Sequence, residues 1–443
     1  MIGRAFDYLK RNGVSQTWFA AVEHAQQLTG DLRYGRNLSK ERTGREELEA
    51  QRRDAKAGVK ISVLVPVYEP QPEYLLQMAE SVLDQTYGNF ELILADGSPA
   101  QELTAVRLSK ENERIRYVRG IPGGGISENS NTALSASEGE VIVLLDQDDL
   151  LEPDALYRMA ECFDRGYDVV YTDEDKYVTG TKRYISPYRK REYNKDLLLS
   201  NNYICHLFGV RKEIAVKAGG FNKKYDGAQD HDLILRCCDI AGEDKIAHIP
   251  RILYHWRIHA GSTAGNPMAK VYAYESGKRA VRDFLKGKGI DVSVLDTAHR
   301  GFFRVVYEGS VPKESYTLFV DGRLKPLTKD YEEILSSYLA REDIGIVGAR
   351  IIGNNKRIIC SGYERNALGR IESLFHGEDF RLPGYMNTAE LVMDTEAVSR
   401  HACIIRNELL SCMEGNSYRM CEKIRARGYR VVIDPKVVFE LRR

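Results

Sequence analysis

Five apolar, mostly β-branched residues, Val141-Ile142-Val143-Leu144-Leu145, run directly into Asp146-Gln147-Asp148-Asp149. Such a run reads as a buried strand. Three carboxylates within four positions cannot be buried unpaired, so the strand has to stop at an open edge of the fold, beside water or a cation. Asp-x-Asp brings two carboxylates towards one locus. Hard oxygen ligands of this kind suit Mg²⁺ or Mn²⁺, which keep positions for water and substrate phosphates. An exposed acidic turn is the alternative reading of the same residues.

The pattern of strand and polar terminus recurs upstream. Ile61 to Tyr68 is a buried strand running into a loop, and Phe90 to Ala95 is a second strand closed by Asp96-Gly97-Ser98. A third covers Ile115 to Arg119, Gly123 to Gly125 opens a loop, and Ser127 to Ser137 reads as a helix ahead of the acidic strand. Strand and helix alternate, which predicts an α/β fold with a largely parallel sheet and helices on both faces. In such sheets ligands bind in the crevice at the carboxyl ends of the strands. Tyr68, Asp96 and the Asp146–Asp149 run all fall there.

Length and composition bound the rest. A chain of 443 residues exceeds one comfortable core, so two domains plus extensions are expected. Lys plus Arg and Asp plus Glu are 64 each, a balance that argues against a general nucleic-acid binder. The eight cysteines form no Cys-x-x-Cys pair and no zinc-like spacing, and read as reduced thiols of a cytoplasmic protein. No apolar run approaches the roughly 18 residues that a membrane span needs. Residues 1–59 are charged with both signs and helical in character, which predicts a solvated extension rather than a membrane-surface element.

Taken together, these motifs resemble the family 2 glycosyltransferases, with their GT-A nucleotide-sugar-binding fold. The resemblance covers about residues 60 to 275 and implies a catalytic domain over 60–300. Val65-Pro66-Val67-Tyr68, with Glu69, resembles the first strand motif that packs against the nucleotide base. Leu94-Ala95-Asp96-Gly97-Ser98 resembles the Asp-Asp-Gly-Ser turn, with Ala95 in place of its first Asp; Asp96 then contacts the base, with Ser98 beside it. Gly124-Gly125 through Asn131 resembles the Gly-rich loop and helix crossing the nucleotide site. By the same likeness Asp146 faces the ribose, Gln147 lies along the donor, and Asp148 binds the metal that bridges the diphosphate. Gln229-Asp230 resembles the Glu-Asp motif and makes Asp230 the catalytic base, although a carboxylate alone at this place also reads as a helix N-cap. Tyr254 to Thr263 resembles the closing loop, in which Arg257 and Ser262 meet the diphosphate and His259, or else His255, completes the metal shell. Gln229, Trp256 and Tyr203 are candidates for the acceptor side, with Tyr203 equally readable as core. Asp173-Glu174-Asp175 shapes a sugar pocket or forms a solvated turn.

After Gly301–Tyr307 the first strand of a second module is missing, and Tyr316 to Arg323 resembles a remnant of the Asp-x-Asp strand with one carboxylate left. Residues 301–443 therefore read as a degenerate, partial second GT-A-like domain serving packing, dimerisation or acceptor binding. The resemblance implies an inverting, Mg²⁺- or Mn²⁺-dependent hexosyltransferase that uses a UDP-sugar or dTDP-rhamnose. Its acceptor would be a cell-surface glycan, lipid-linked at the inner face of the membrane, where the enzyme attaches peripherally. One rival is a catalytically impaired nucleotide-sugar-binding or scaffold protein of the same fold, which Ala95 and Gln229 favour. The other is a nucleotidyltransferase or related nucleotide-diphosphate enzyme, which would also use Asp-x-Asp with metal. Such an enzyme normally needs a phosphate-gripping Gly-rich loop after the first strand, and Val67-Tyr68-Glu69-Pro70-Gln71-Pro72 lacks one.

Overall fold

The computed structural model describes residues 29–38, 40–54, 58–259, 267–309, 311–366 and 368–442. They separate into two compact units. The first holds the described residues up to Tyr193 together with Tyr203–Ala280; the second holds Asn194–Asn202 and the described residues from Val281 onward. The division thus falls some twenty residues before the expected boundary at 300, and a short central segment belongs to the second unit.

The first unit is built on a nine-stranded sheet: β1 (Ile61–Val67), β2 (Phe90–Asp96), β3 (Ile115–Arg119), β4 (Val141–Leu144), β5 (Leu150–Leu151), β6 (Val169–Val178), β7 (Arg183–Tyr188), β8 (Phe208–Arg211) and β9 (Ile246–Ile258). Their spatial order is β3-β2-β1-β4-β8-β6-β9-β5, with β7 on β6. β1 and β2 are almost wholly buried, as expected of strands covered on both faces. The chain winds outward through β1, β2 and β3 in parallel, then returns to lay β4 on the other flank of β1. That reversal opens a crevice beyond the carboxyl ends of β1 and β4. Tyr68 and Asp146–Asp149 follow those two ends.

β8 enters antiparallel to β4, opposing Leu144 with Phe208. The residues just before β8 are thereby brought beside those just after β4. β6 is antiparallel to β8, and β9 is parallel to β6. The carboxyl end of β9 consequently lies at the same edge, where His255 opposes Leu150. Residues 29–54 are mostly exposed, as a solvated extension predicts, but the segment is tied down at a few points: Tyr34 and Gln51 are buried, and Arg42 pairs with Glu152 at 2.7 Å.

The second unit has a seven-stranded sheet whose main path is Tyr316–Val320, Ala402–Arg406, Ile344–Ile352, Arg430–Leu441 and Leu324–Pro326. Successive pairs are antiparallel, antiparallel, parallel and antiparallel. The path β4-β8-β6-β9-β5 has the same sequence of senses. A short antiparallel strand, Ile358–Cys360, sits on Ile344–Ile352 as β7 sits on β6. Both parallel pairs even shift register at matching places, after Thr172 in one unit and after Ala349 in the other. Nothing in the second unit's strand set corresponds, among the described residues, to the β1-β2-β3 half.

Candidate active site

The cleft beyond β1 and β4 gathers four carboxylates. Asp148 Oδ2 lies 2.8 Å from His259 Nε2, which reaches it from just beyond the end of β9. Asp146 has a half-exposed side chain and stands 3.7 Å from His206 Nε2. Desolvation in the cleft, joined by the charges of Asp148 and Asp230, raises the Asp146 pKa against the pull of His206. Asp149 is buried, accepting hydrogen bonds from Arg257 N (2.7 Å) and the Tyr254 hydroxyl. Burial and then the neighbouring Asp146 and Asp148 charges push its pKa well up.

Asp230 approaches from another element. It lies in the first turn of the helix Gln229–Ala241, whose N-cap is Ala228, so it is not the capping residue. The positive end of the helix favours a carboxylate there. Cys205 Sγ is 3.6 Å from Asp230 Oδ2. Gln229 turns back, its Oε1 accepting from Gly227 N at 2.9 Å.

Several residues expected at the ligand hold the walls instead. Asp96 is 0% exposed: Oδ1 accepts from Ser98 N, while Oδ2 accepts from Glu102 N, the Tyr117 hydroxyl and Arg119 Nη1. Burial opposes its ionisation, yet these donors keep its pKa below the ordinary value. It braces the loop after β2, with no exposed surface of its own. Ser98 is buried with it, accepting from Glu69 N at 2.8 Å. Gln147 clasps the backbone of Tyr68 with both ends of its amide, at 2.9 and 3.1 Å. Asn131 does the same to Phe221, both contacts at 2.8 Å. Tyr203 is core, packed edge-on to Tyr171.

Arg257 is the largest departure. Its guanidinium is fully buried between the rings of Tyr74 and Tyr177, at 4.7 and 5.4 Å. Nε donates to the Asp148 carbonyl and Nη1 to Gln77 Oε1, while Nη2 is buried without a hydrogen-bond partner. It anchors the Asp-x-Asp backbone from behind and offers no fork to a diphosphate. His255, the alternative to His259, has both ring nitrogens engaged, by Asp175 at 2.5 Å and Glu152 at 2.8 Å.

Exposed or partly exposed at the cleft are Pro66, Tyr68 (46% exposed), Glu69, Asp146, Asp148, His259, Asp230 and Trp256. Gly125, at φ 95°, caps the helix Ile126–Ala136; a Cβ there would lie 2.8 Å from Asp226 Oδ2. Ser262 lies outside the described residues. Sequence reasoning passed over Arg119, at the end of β3, whose guanidinium braces Asp96. It read His206 only as the last residue of a stretch, Leu197 to His206, lining the acceptor side, and the antiparallel entry of β8 that sets it beside Asp146 is not legible in the sequence. The Asp173–Asp175 run is neither pocket nor solvated turn. Within β6 its members meet, in order, His248 (2.8 Å), Lys190 (3.0 Å) and His255.

Residues 62–218 match the model described as Glycosyl transferase family 2. That stretch, about a third of the chain, is a family 2 glycosyltransferase domain. Over 243 residues it is 42% identical to the uncharacterized protein y4gI of Sinorhizobium fredii, covering 53% of this chain and 27% of that protein. It is 32% identical to the O-antigen biosynthesis protein RfbC of Myxococcus xanthus, covering 54% and 19%. The chain therefore spans only about a fifth to a quarter of the length of these relatives. A structure of S. aureus TarS in complex with UDP-GlcNAc is 17% identical with a TM-score of 0.41, over 51% of this chain and 71% of that one. The sheet of the first unit is that of a GT-A fold, with an additional C-terminal α/β domain. Among the described residues no helix is long and apolar enough to cross a membrane.

Proposed function

We propose that the first unit is an inverting, metal-dependent glycosyltransferase acting on a nucleotide-sugar donor, a UDP-sugar or dTDP-rhamnose. The observation that carries this reading is the meeting of the Asp148–His259 pair with Asp146 and Asp230 at the switch point of the sheet. Tyr68 and Glu69 border the side of the cleft that would take the base, and Asp146 would face the ribose. Asp230 would accept the proton of an acceptor hydroxyl as that oxygen attacks the anomeric carbon from the face opposite the leaving diphosphate. A single displacement inverts the carbon.

Among the described residues no group of three or more His, Cys, Asp or Glu side chains forms a ready metal cage. One carboxylate and one imidazole still suit Mg²⁺ or Mn²⁺, whose other positions are normally taken by water and substrate phosphate oxygens. Asp148 and His259 would hold it. Bound there, the ion would supply charge neutralisation to the departing diphosphate. The likeness to an O-antigen biosynthesis protein supports a cell-surface glycan as acceptor. On this reading the glycan is lipid-linked and reached from the cytoplasmic face of the membrane, and the second unit would bind acceptor or dimerise.

A thermal-shift panel of UDP, dTDP, GDP and CDP, with and without Mn²⁺, tests the reading. One nucleotide is expected to stabilise the protein only with metal, by roughly 2.7 kcal/mol at about 100 times its dissociation constant. No shift with any nucleotide would overturn it and favour a scaffold. Arg257→Lys probes the support of the metal ligand: the charge stays, but the planar fork that holds Asp148 and Gln77 is lost. Mn²⁺-dependent nucleotide affinity is expected to fall by about ten- to a hundredfold, as outer-shell changes do. An unchanged titration would mean that Arg257 only packs.

A further inference from the structure

His206 stands beside Asp146 because β8 runs antiparallel to β4. Its ring is fixed on the remaining sides. It stacks on Tyr254 at 4.6 Å and 10°, and meets Trp256 edge-on at 6.2 Å. The buried Lys190 ammonium holds its carbonyl as well as that of Ile204, and pairs with Glu174. Nδ1 is buried with no hydrogen-bond partner, which leaves Nε2 as the nitrogen aimed into the cleft. The 3.7 Å to Asp146 is too long for a hydrogen bond. Asp146 feels the charges of both Asp148 and Asp230, and Cys205, next to His206, touches Asp230. The gap between Asp146 and His206 therefore lies between the diphosphate side of the cleft and the candidate base.

The internal repeat supplies a second, independent view of this pair. Val141 opposes Arg211 as Tyr316 opposes Arg406. Counting five residues on from the first members gives Asp146 and Asp321; counting five back from the arginines gives His206 and His401. Asp321 and His401 again meet, at 3.3 Å. There, however, Arg323 occupies the Asp148 position and forks onto both Asp321 oxygens, and the helix Ser417–Arg425 has no acid in its first turn. The second unit thus keeps the Asp–His pair closed by an arginine and lacks the chemistry around it. In the first unit alone the carboxylate is left open towards its histidine.

We propose that His206 is a specificity-determining residue. Its Nε2–H and the Asp146 oxygen nearest to it hold between them one hydroxyl of the transferred sugar, which accepts from the imidazole and donates to the carboxylate, while the other Asp146 oxygen keeps to the ribose side. This rests on the glycosyltransferase reading of the site. The test measures binding of UDP and dTDP, and of UDP-glucose, UDP-galactose, UDP-N-acetylglucosamine and dTDP-rhamnose, with Mn²⁺. Wild type is compared with His206→Ala, His206→Gln and His401→Ala. His206→Ala is expected to weaken the preferred nucleotide sugar about tenfold or more, the loss of one hydrogen bond to a charge-supported site. The free nucleotide should bind unchanged, and the ranking of the four donors should flatten. His206→Gln, whose amide can reach the Nε2 position, should recover part of the loss and carries the comparison if the alanine variant does not fold. His401→Ala should match wild type. A His206→Ala protein that keeps donor affinity and ranking, or weakens free nucleotide equally, overturns the proposal. A wild-type chain that binds none of these ligands overturns the glycosyltransferase reading itself.

Discussion

Asp230→Asn is expected to lower glycosyl transfer by about 10²- to 10⁴-fold while leaving metal-dependent nucleotide binding intact. The substitution keeps size and shape but removes the ability to take a proton. A sugar hydroxyl is a weak nucleophile, so without an acceptor for its proton the attack loses several kcal/mol of stabilisation, on the order of 3 to 5. The fold should tolerate the change. Asp230 is not the N-cap of its helix, and the turn before it is closed by Gln229 on Gly227. Transfer from the donor picked out by the thermal-shift panel, or its slow hydrolysis where acceptor is lacking, gives the rate. Near-normal turnover of the folded variant would remove Asp230 from the mechanism. Loss of nucleotide binding along with rate would make it a structural residue. Asp148→Ala should show the opposite pattern, with metal-dependent binding lost first.

The contrast between these carboxylates and their neighbours explains what could be read from the chain and what could not. The acidic strand end and the alternation upstream were enough for the α/β sheet and for the edge that carries the site. Periodicity is local, and it marks β1, β2 and β4 as mainly apolar runs. It says nothing of a strand's direction, yet the antiparallel entry of β8 is what delivers His206 to Asp146. Residue type misleads for the same reason. Asp96, Asn131 and Arg257 belong to the chemical classes that bind nucleotides, but each faces a loop or strand rather than the cleft. Their partners lie six, ninety and about a hundred and nine positions away. Only the assembled sheet distinguishes a polar residue that supports a strand-end loop from one that projects beyond it. The Asp173–Asp175 run shows this most sharply, because three adjacent acids alternate across β6 and find three different cations.

One of those cations should give the protein a measurable pH signature. His255 is nearly inaccessible, between Asp175 at 2.5 Å and Glu152 at 2.8 Å. Arg42 also binds Glu152, and the Tyr34 hydroxyl binds Asp175 at 2.6 Å. Burial works against the imidazolium, but Asp175 and then Glu152 overcome it and raise the pKa from 6.5 to about 9. The folded state therefore binds this proton more tightly than the unfolded chain does. The associated stability is fully present below pH about 6.5 and disappears as pH rises through about 9. A shift of this size corresponds to roughly 3 kcal/mol, or about 6 to 12 °C in the melting temperature of a unit of this size. His255→Gln cannot carry the charge and leaves two buried carboxylates short of a cation, at an expected cost of about 3 to 5 kcal/mol at pH 6. Melting curves of both proteins at pH 6, 7.5 and 9.5 should start far apart and converge as the wild-type imidazolium loses its proton. Parallel curves across that range would mean that His255 is neutral in the folded protein. In that case one of the two carboxylates, and not the histidine, would hold the proton of this cluster.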